Sequence, residues 1–212
     1  MRLIFMGTPE AAVPTLRRCL EDGHSVLSVW TQPDRPSGRG NKLTAAPVKE
    51  FALSHGLSVH QPTKIKPADV LELFKSYEAD AAVVVAYGRI LPPGFLTAPR
   101  LGCINVHFSL LPKYRGAAPV NWAIVRGEME TGVTTMKMDE GLDTGEILRQ
   151  RSLAIASSET APELMERLAA VGSDLLAETL PRLDNIVPTK QDNELATFAP
   201  IRQLSAKPTR HL

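Results

Sequence analysis

Three polar side chains could form a reacting set: the carboxamide of Asn105, the imidazole of His107 and the carboxylate of Asp143. Asn105 and His107 are two positions apart in residues 101–107, a run that reads as a strand, so the pleat directs both to one side. They fall at the strand's expected carboxyl end, where open parallel sheets place their ligand sites. Asp143 belongs to residues 139–145, a turn-rich acidic stretch between two expected strands, and local grammar alone favours a solvated turn there. Proximity to His107 would reverse that ranking. An amide, an imidazole and a carboxylate around one pocket can bind a carbonyl oxygen, stabilise charge developing on it and relay protons. Acyl-type transfer needs those functions.

The following loop, Ser109-Leu110-Leu111-Pro112 and then Lys113-Tyr114-Arg115-Gly116, has the proline and glycine that let backbone groups and apolar side chains meet a flat, partly apolar ligand. Other chemistries find no support. Gly38-Arg39-Gly40-Asn41-Lys42 lacks the glycine spacing and the Lys-Ser/Thr ending of a phosphate-binding loop. The five histidines (His24, His55, His60, His107 and His211) show no HExxH or paired-ligand spacing, so no metal is expected. Ser109 lacks the Gly-x-Ser-x-Gly elbow of many hydrolases.

The elements that must position these residues alternate apolar runs with helical patterns, the signature of a parallel sheet wrapped by helices. Residues 3–6 read as the first strand, 9–21 as a helix with Thr8 as its N-cap, and 25–31 as a second strand. Residues 32–42 contain prolines and glycines that forbid a helix or a central strand, and read as a long exposed loop. Helices are expected over 47–55 and 68–77, with a short strand at 57–60. Residues 81–86, alanines and valines without polar alternation, read as a central strand covered on both faces. A helix over 120–125 and strands over 131–138 and 146–154 follow, and there the sheet is expected to become mixed. Residues 161–183 should form one long amphipathic helix. Beyond Asp184 apolar content is sparse and the pattern poorly specified.

Composition agrees with an α/β globule. Of 212 residues 43% are apolar and 22% charged, which excludes wholesale disorder, and 24 basic residues against 23 acidic ones exclude an overwhelming positive field for coating nucleic acid. A local basic patch stays open. Cys19 and Cys103 lack metal-ligand spacing and read as reduced, buried thiols of a cytoplasmic protein. The apolar start at residues 1–6 is too short to span a membrane and is followed by no cleavage pattern.

The stretch Asn105-Val106-His107-Phe108-Ser109-Leu110-Leu111-Pro112, with Asp143-Thr144-Gly145 downstream, resembles the signature of the folate-dependent formyltransferases. Gly7-Thr8-Pro9-Glu10, the 31–40 segment and Tyr114-Arg115-Gly116-Ala117-Ala118-Pro119 are most similar to the branch of that family acting on methionyl-tRNA. The resemblance implies a doubly wound, Rossmann-like sheet, mostly parallel and partly mixed, over a catalytic domain at 1–187, with a linker-like tail at 188–212. It makes Asn105, His107 and Asp143 the catalytic set. It places the donor, 10-formyltetrahydrofolate, against Val85, Tyr87, Gly88, Ile90, Leu91 and Ser109, Leu110, Leu111, Pro112. It sets the acceptor end of initiator methionyl-tRNA against Arg35, Arg39 and Lys42, for a role in translation initiation, without metal or membrane and as a monomer.

Three departures accompany the resemblance. Ala11 stands where the family often has Phe, and Phe108 where a small residue is usual; Phe108 would either narrow the pocket or, by strand parity, pack behind the catalytic face. The family's C-terminal tRNA-gripping barrel has no counterpart in these residues. Two other readings stay open: formyl transfer to an amino sugar nucleotide, and a catalytically silent folate-binding domain.

Overall fold

The computed structural model describes residues 1–37 and 42–201. The chain opens with β1 (Arg2–Gly7), a 3-10 turn at Glu10–Ala12 and helix α1 (Val13–Glu21). Next come β2 (Ser25–Trp30), the short strands β3 (Arg35–Ser37) and β4 (Lys42–Thr44), α2 (Pro47–Ser54), β5 (Val59–His60) and α3 (Ala68–Ser76). The second half runs β6 (Ala81–Val85), α4 (Pro93–Thr97), β7 (Cys103–His107), α5 (Pro119–Val125), β8 (Glu130–Lys137), β9 (Ile147–Ala154) and α6 (Ala161–Thr179).

Seven strands form one sheet in the order β5-β2-β1-β6-β7-β8-β9. The first five positions pair in parallel, whereas β7–β8 and β8–β9 are antiparallel, so the sheet is mixed where the sequence places the change. The chain leaves β1 in one direction through β2 and returns to its other side at β6. That makes the β1/β6 junction a topological switch point, with a crevice outside the carboxyl ends of the strands. His107 is the last residue of the next strand over.

Strand parity divides the core. Leu3, Phe5, Val83, Val85, Ile104 and Val106 pack with Leu16, Leu164, Leu168 and Leu176 on one face, while Ile4, Met6, Val84 and Cys103 pack with Phe74, Phe95 and Leu91 on the other. All five residues of β6 are buried, which is why that strand lacks polar alternation. Both cysteines are free and buried, and burial pushes each thiol up to about 12, so neither is a ready nucleophile. Among the described residues no helix is long and apolar enough to cross a membrane.

Four local features differ from expectation. Thr8 caps no helix; its hydroxyl donates to the Tyr87 carbonyl (3.3 Å) and accepts from the Gln32 amide (3.2 Å), which ties together the ends of β1, β2 and β6. The 32–42 segment is not loop throughout, because Arg35–Ser37 and Lys42–Thr44 pair antiparallel. Its base is fixed by Asp34, whose carboxylate accepts from Lys49 Nζ (2.6 Å) and Gln61 Nε2 (2.8 Å). Helix α4 arises in a proline-rich stretch too short to show periodicity. Finally, residues 189–200 lie against the domain as a strap. Thr189 pairs with Ile147 and Phe198 with Arg115, and the Trp122 indole donates to the Pro200 carbonyl.

Candidate active site

Asn105 and His107 project to the same face of β7 and are 8% and 6% exposed. In the antiparallel register they stand opposite Met136 and Thr134 of β8. The Asn105 carboxamide has no protein hydrogen-bond partner among the described residues, so its N–H and C=O groups are open to a ligand. A polar group this deep is normally satisfied. His107 Nε2 lies 3.0 Å from the carbonyl oxygen of Tyr114. A carbonyl has no proton to give, so Nε2 is the N–H donor, and Nδ1 faces Asp143 Oδ2 at 3.8 Å.

Each partner is held by an unusual backbone. Tyr114 has φ of 62° and Asp143 φ of 53°, left-handed conformations that cost a non-glycine residue roughly 1–2 kcal/mol each. Tyr114 is kept there by its amide donating to Thr197 Oγ1 (2.9 Å), by its phenol donating to Glu128 and by the Arg126 guanidinium over its ring. Burial together with the bond to Glu128 raises the Tyr114 phenol above its ordinary range. Asp143 Oδ2 accepts from the Gly116 amide (2.7 Å), and its carbonyl accepts from Gln191 Nε2 (2.8 Å). Two residues on, a Cβ at Gly145 would fall 1.8 Å from the Lys137 carbonyl, so only glycine lets this loop approach β8.

The acidic stretch is thus no free turn. Asp139 Oδ1 accepts from Gly141 N (3.1 Å) and Thr144 Oγ1 (2.7 Å), and the loop forms one wall of a cavity of about 80 Å³. Its other walls are Arg89, Ile90, Leu91, Met136 and Met138, with Asp143 itself contributing to the lining. Apolar side chains with a few polar groups suit a flat heterocycle. Tyr87 lies in the same core cluster as Leu91, and its buried hydroxyl has no partner among the described residues. Burial pushes that phenol up, with Arg89 opposing.

The remaining expected residues have other surroundings. Val85 is buried in the core on the opposite face, and Gly88 takes φ of 80° in the turn that leads to Arg89, whose Nε donates to Gln32 Oε1 (2.9 Å). Ser109 is fully buried and its hydroxyl donates to the Lys113 carbonyl (2.6 Å). The Leu111 amide donates to Thr134 Oγ1 and the Leu111 carbonyl accepts from Gln150 Nε2; Pro112 follows through a cis peptide bond. Leu110 packs where Gly132 leaves room for it. This loop is therefore a fixed bracket below His107. Of the basic residues, Arg35 is exposed at the start of β3, Lys42 begins β4, and Arg39 lies outside the described residues.

Phe108 points away from His107, into the opposite core face. With Ala11, Ala86, Ala117, Pro119 and Met165 it lines a second, largely apolar cavity of about 310 Å³. The two departures from the family pattern, at positions 11 and 108, therefore line the same cavity. Among the described residues no group of three or more His, Cys, Asp or Glu could hold a metal ion.

Comparison with known proteins places these features in context. A family model described as formyl transferase matches residues 1–180. The chain is 54% identical over 204 residues to a methionyl-tRNA formyltransferase of Caldanaerobacter subterraneus subsp. tengcongensis, covering 95% of this chain and 66% of that protein. It is 52% identical over 202 residues to one of Trichlorobacter lovleyi, covering 94% and 64%. The chain thus spans somewhat less than two thirds of the length of these relatives. Among solved structures, glycinamide ribonucleotide transformylase 1 from Geobacillus kaustophilus matches with TM-score 0.70 at 27% identity, over 86% of this chain and 97% of that one. An N-formyltransferase from Helicobacter canadensis, in complex with folinic acid and dTDP-3-aminofucose, matches with TM-score 0.70 at 24% identity, over 93% and 70%.

Proposed function

Because this chain belongs to the formyl transferase family, we propose that it transfers the formyl group of 10-formyltetrahydrofolate to the free amine of methionyl-tRNA. The observation that carries this reading is the placement of Asn105, the His107–Asp143 pair and the 89–91/136–143 cavity at one carboxyl-terminal edge of the sheet. The choice of acceptor is supported by the two methionyl-tRNA formyltransferases more than 50% identical to this chain.

The donor's ring system would sit between Ile90, Leu91 and the 139–143 loop, and the folate carrier supplies an activated formyl group. The Asn105 carboxamide, without a partner among the described residues, would donate to the formyl oxygen as negative charge gathers there. A well-placed donor of this kind is worth roughly 3 kcal/mol. His107 has its Nε2–H committed to Tyr114, so it can donate to that oxygen only from a protonated Nδ1, the atom that faces Asp143. Asp143 would orient this imidazole and move the proton lost by the attacking amine, directly or through water, to the folate nitrogen from which the formyl group departs. The C–N bond to the amine forms as the C–N bond to the folate breaks. Arg35, Arg39 and Lys42 are proposed to meet the acceptor end of the tRNA.

The test compares formyl transfer to methionyl-tRNA, free methionine and an amino sugar nucleotide. Formylation of methionyl-tRNA well above the other two is expected. Product on the sugar alone would favour the related sugar enzyme, and no product on any acceptor would favour a silent folate-binding domain. Arg39→Ala should weaken use of intact tRNA and spare donor binding; equal loss on a minimal acceptor would remove Arg39 from tRNA contact.

A further inference from the structure

We propose that Gln191, on the strap after α6, is a positioning residue for Asp143. Only the kinetic part of its test rests on the formyl-transfer reading. Gln191 Nε2 donates to the carbonyls of Asp143 (2.8 Å) and Gly145 (2.7 Å), and its Oε1 accepts from Arg115 Nε (3.0 Å) and Nη2 (2.8 Å). The side chain's two donors and two acceptor positions are all used. Its orientation is unambiguous, since a guanidinium can only donate and a carbonyl can only accept.

The contact joins two loops that meet at the reacting groups. One holds Asp143 in its left-handed conformation; the other carries Tyr114, which pins His107, and Gly116, whose amide donates to Asp143 Oδ2 (2.7 Å). A strained backbone persists only where its surroundings over-determine it. Gln191 supplies the second tie between these loops and grips Asp143 by its main chain, leaving the carboxylate free to act. It is itself anchored by Arg115, which is 4% exposed, bonds Asn193 Oδ1 through Nη2 (2.9 Å) and pairs its main chain with Thr197 and Ala199.

The residue type is informative. A glutamate at 191 would keep, and strengthen, the contact with Arg115, yet it would set a carboxylate against two carbonyl oxygens with no hydrogen to share. Gln191→Glu therefore separates anchoring of the strap from positioning of the loop, and Gln191→Ala removes both. The experiment measures thermal melting, hydrogen exchange of the Gly116 amide, and kcat and KM in the full chain and in both variants. For Gln191→Glu we expect melting close to that of the unmodified chain and Gly116 exchange faster by about tenfold. A kcat lower by about tenfold to a hundredfold, with acceptor KM little changed, should accompany it. Unchanged Gly116 exchange in both variants would overturn the proposal, as would a loss of turnover that only tracks the unfolded fraction. If the unmodified chain formylates none of the three acceptors, the functional reading fails, and hydrogen exchange decides on Gln191 by itself.

Discussion

The Nδ1 of His107 and the Oδ2 of Asp143 stand 3.8 Å apart, while the other imidazole nitrogen is committed to the carbonyl of Tyr114. The pair is therefore polarised by construction: one nitrogen is fixed as a donor to the main chain, and the other shares its surroundings with a carboxylate. Asp143→Asn keeps an oxygen for the Gly116 amide and removes the charge. Turnover should fall by about 10²–10⁴-fold with donor affinity nearly kept. Asn105→Ala should cost about 10²–10³-fold in kcat. Steady-state kinetics with tight-binding checks of donor affinity would measure both, and an unchanged rate in either variant would remove that residue from the chemistry.

Gly145→Ala tests the approach of the Asp143 loop to β8. The added carbon would meet the Lys137 carbonyl at 1.8 Å, a main-chain atom that cannot rotate away. The loop must lift or β8 must bend, so a loss of about 2 kcal/mol or more is expected, with turnover falling further than stability. Denaturant titration and the formylation rate report the two separately. Wild-type behaviour in both would show that the loop has slack.

Positions 11 and 108 should be energetically coupled, because both line the 310 Å³ cavity. Phe108→Ala removes a ring that is 6% exposed and should cost about 3 kcal/mol. Ala11→Phe, introduced into that variant, can refill the space from the other wall. A double-mutant cycle should return a favourable coupling of about 1 kcal/mol; strictly additive changes would mean that the two side chains do not share a space.

Asp34 gives a pH dependence at the base of the β3–β4 hairpin. Hydrogen bonds from Lys49 and then Gln61 hold its carboxyl below the usual carboxylate value. A depressed folded-state value means that the stabilisation is complete above pH about 4 and is lost as pH falls through the lower folded value. Proteolytic susceptibility of the hairpin should accordingly rise on acidification below that point, and Asp34→Asn should show the acid-like susceptibility already at neutral pH. A hairpin equally protected in the variant would contradict the assignment.

What the sequence made readable was whatever depends on periodicity and parity. Ala81–Val85 is recognisable as central because both its faces are apolar, and Asn105 and His107 fall on one side because strand side chains alternate. The same rule puts Phe108 behind them. Contacts between distant segments left no such trace. Thr8 has the residue type of a helix cap, but its hydroxyl is drawn away by Tyr87 and Gln32, residues separated from it by 79 and 24 positions. Gln191 was missed for a related reason: the strap is held by hydrogen bonds and main-chain pairing, so it needs no apolar repeat. The one available signal was an uncharged Gln among Lys190, Asp192 and Glu194.

The pairing of Arg115 with Phe198, and of Tyr114 with Thr197 across 83 positions, fixes an order of events during synthesis. Chains fold from their N-terminus as they emerge, and a ribosome that has completed α6 has made every strand of the sheet and both halves of the hydrophobic core. It has not yet made the segment that holds Tyr114 and the Asp143 loop in place. Ordering of that centre thus follows the folding of the sheet and core, and a polypeptide cut between α6 and the strap should be a folded body with a slack centre.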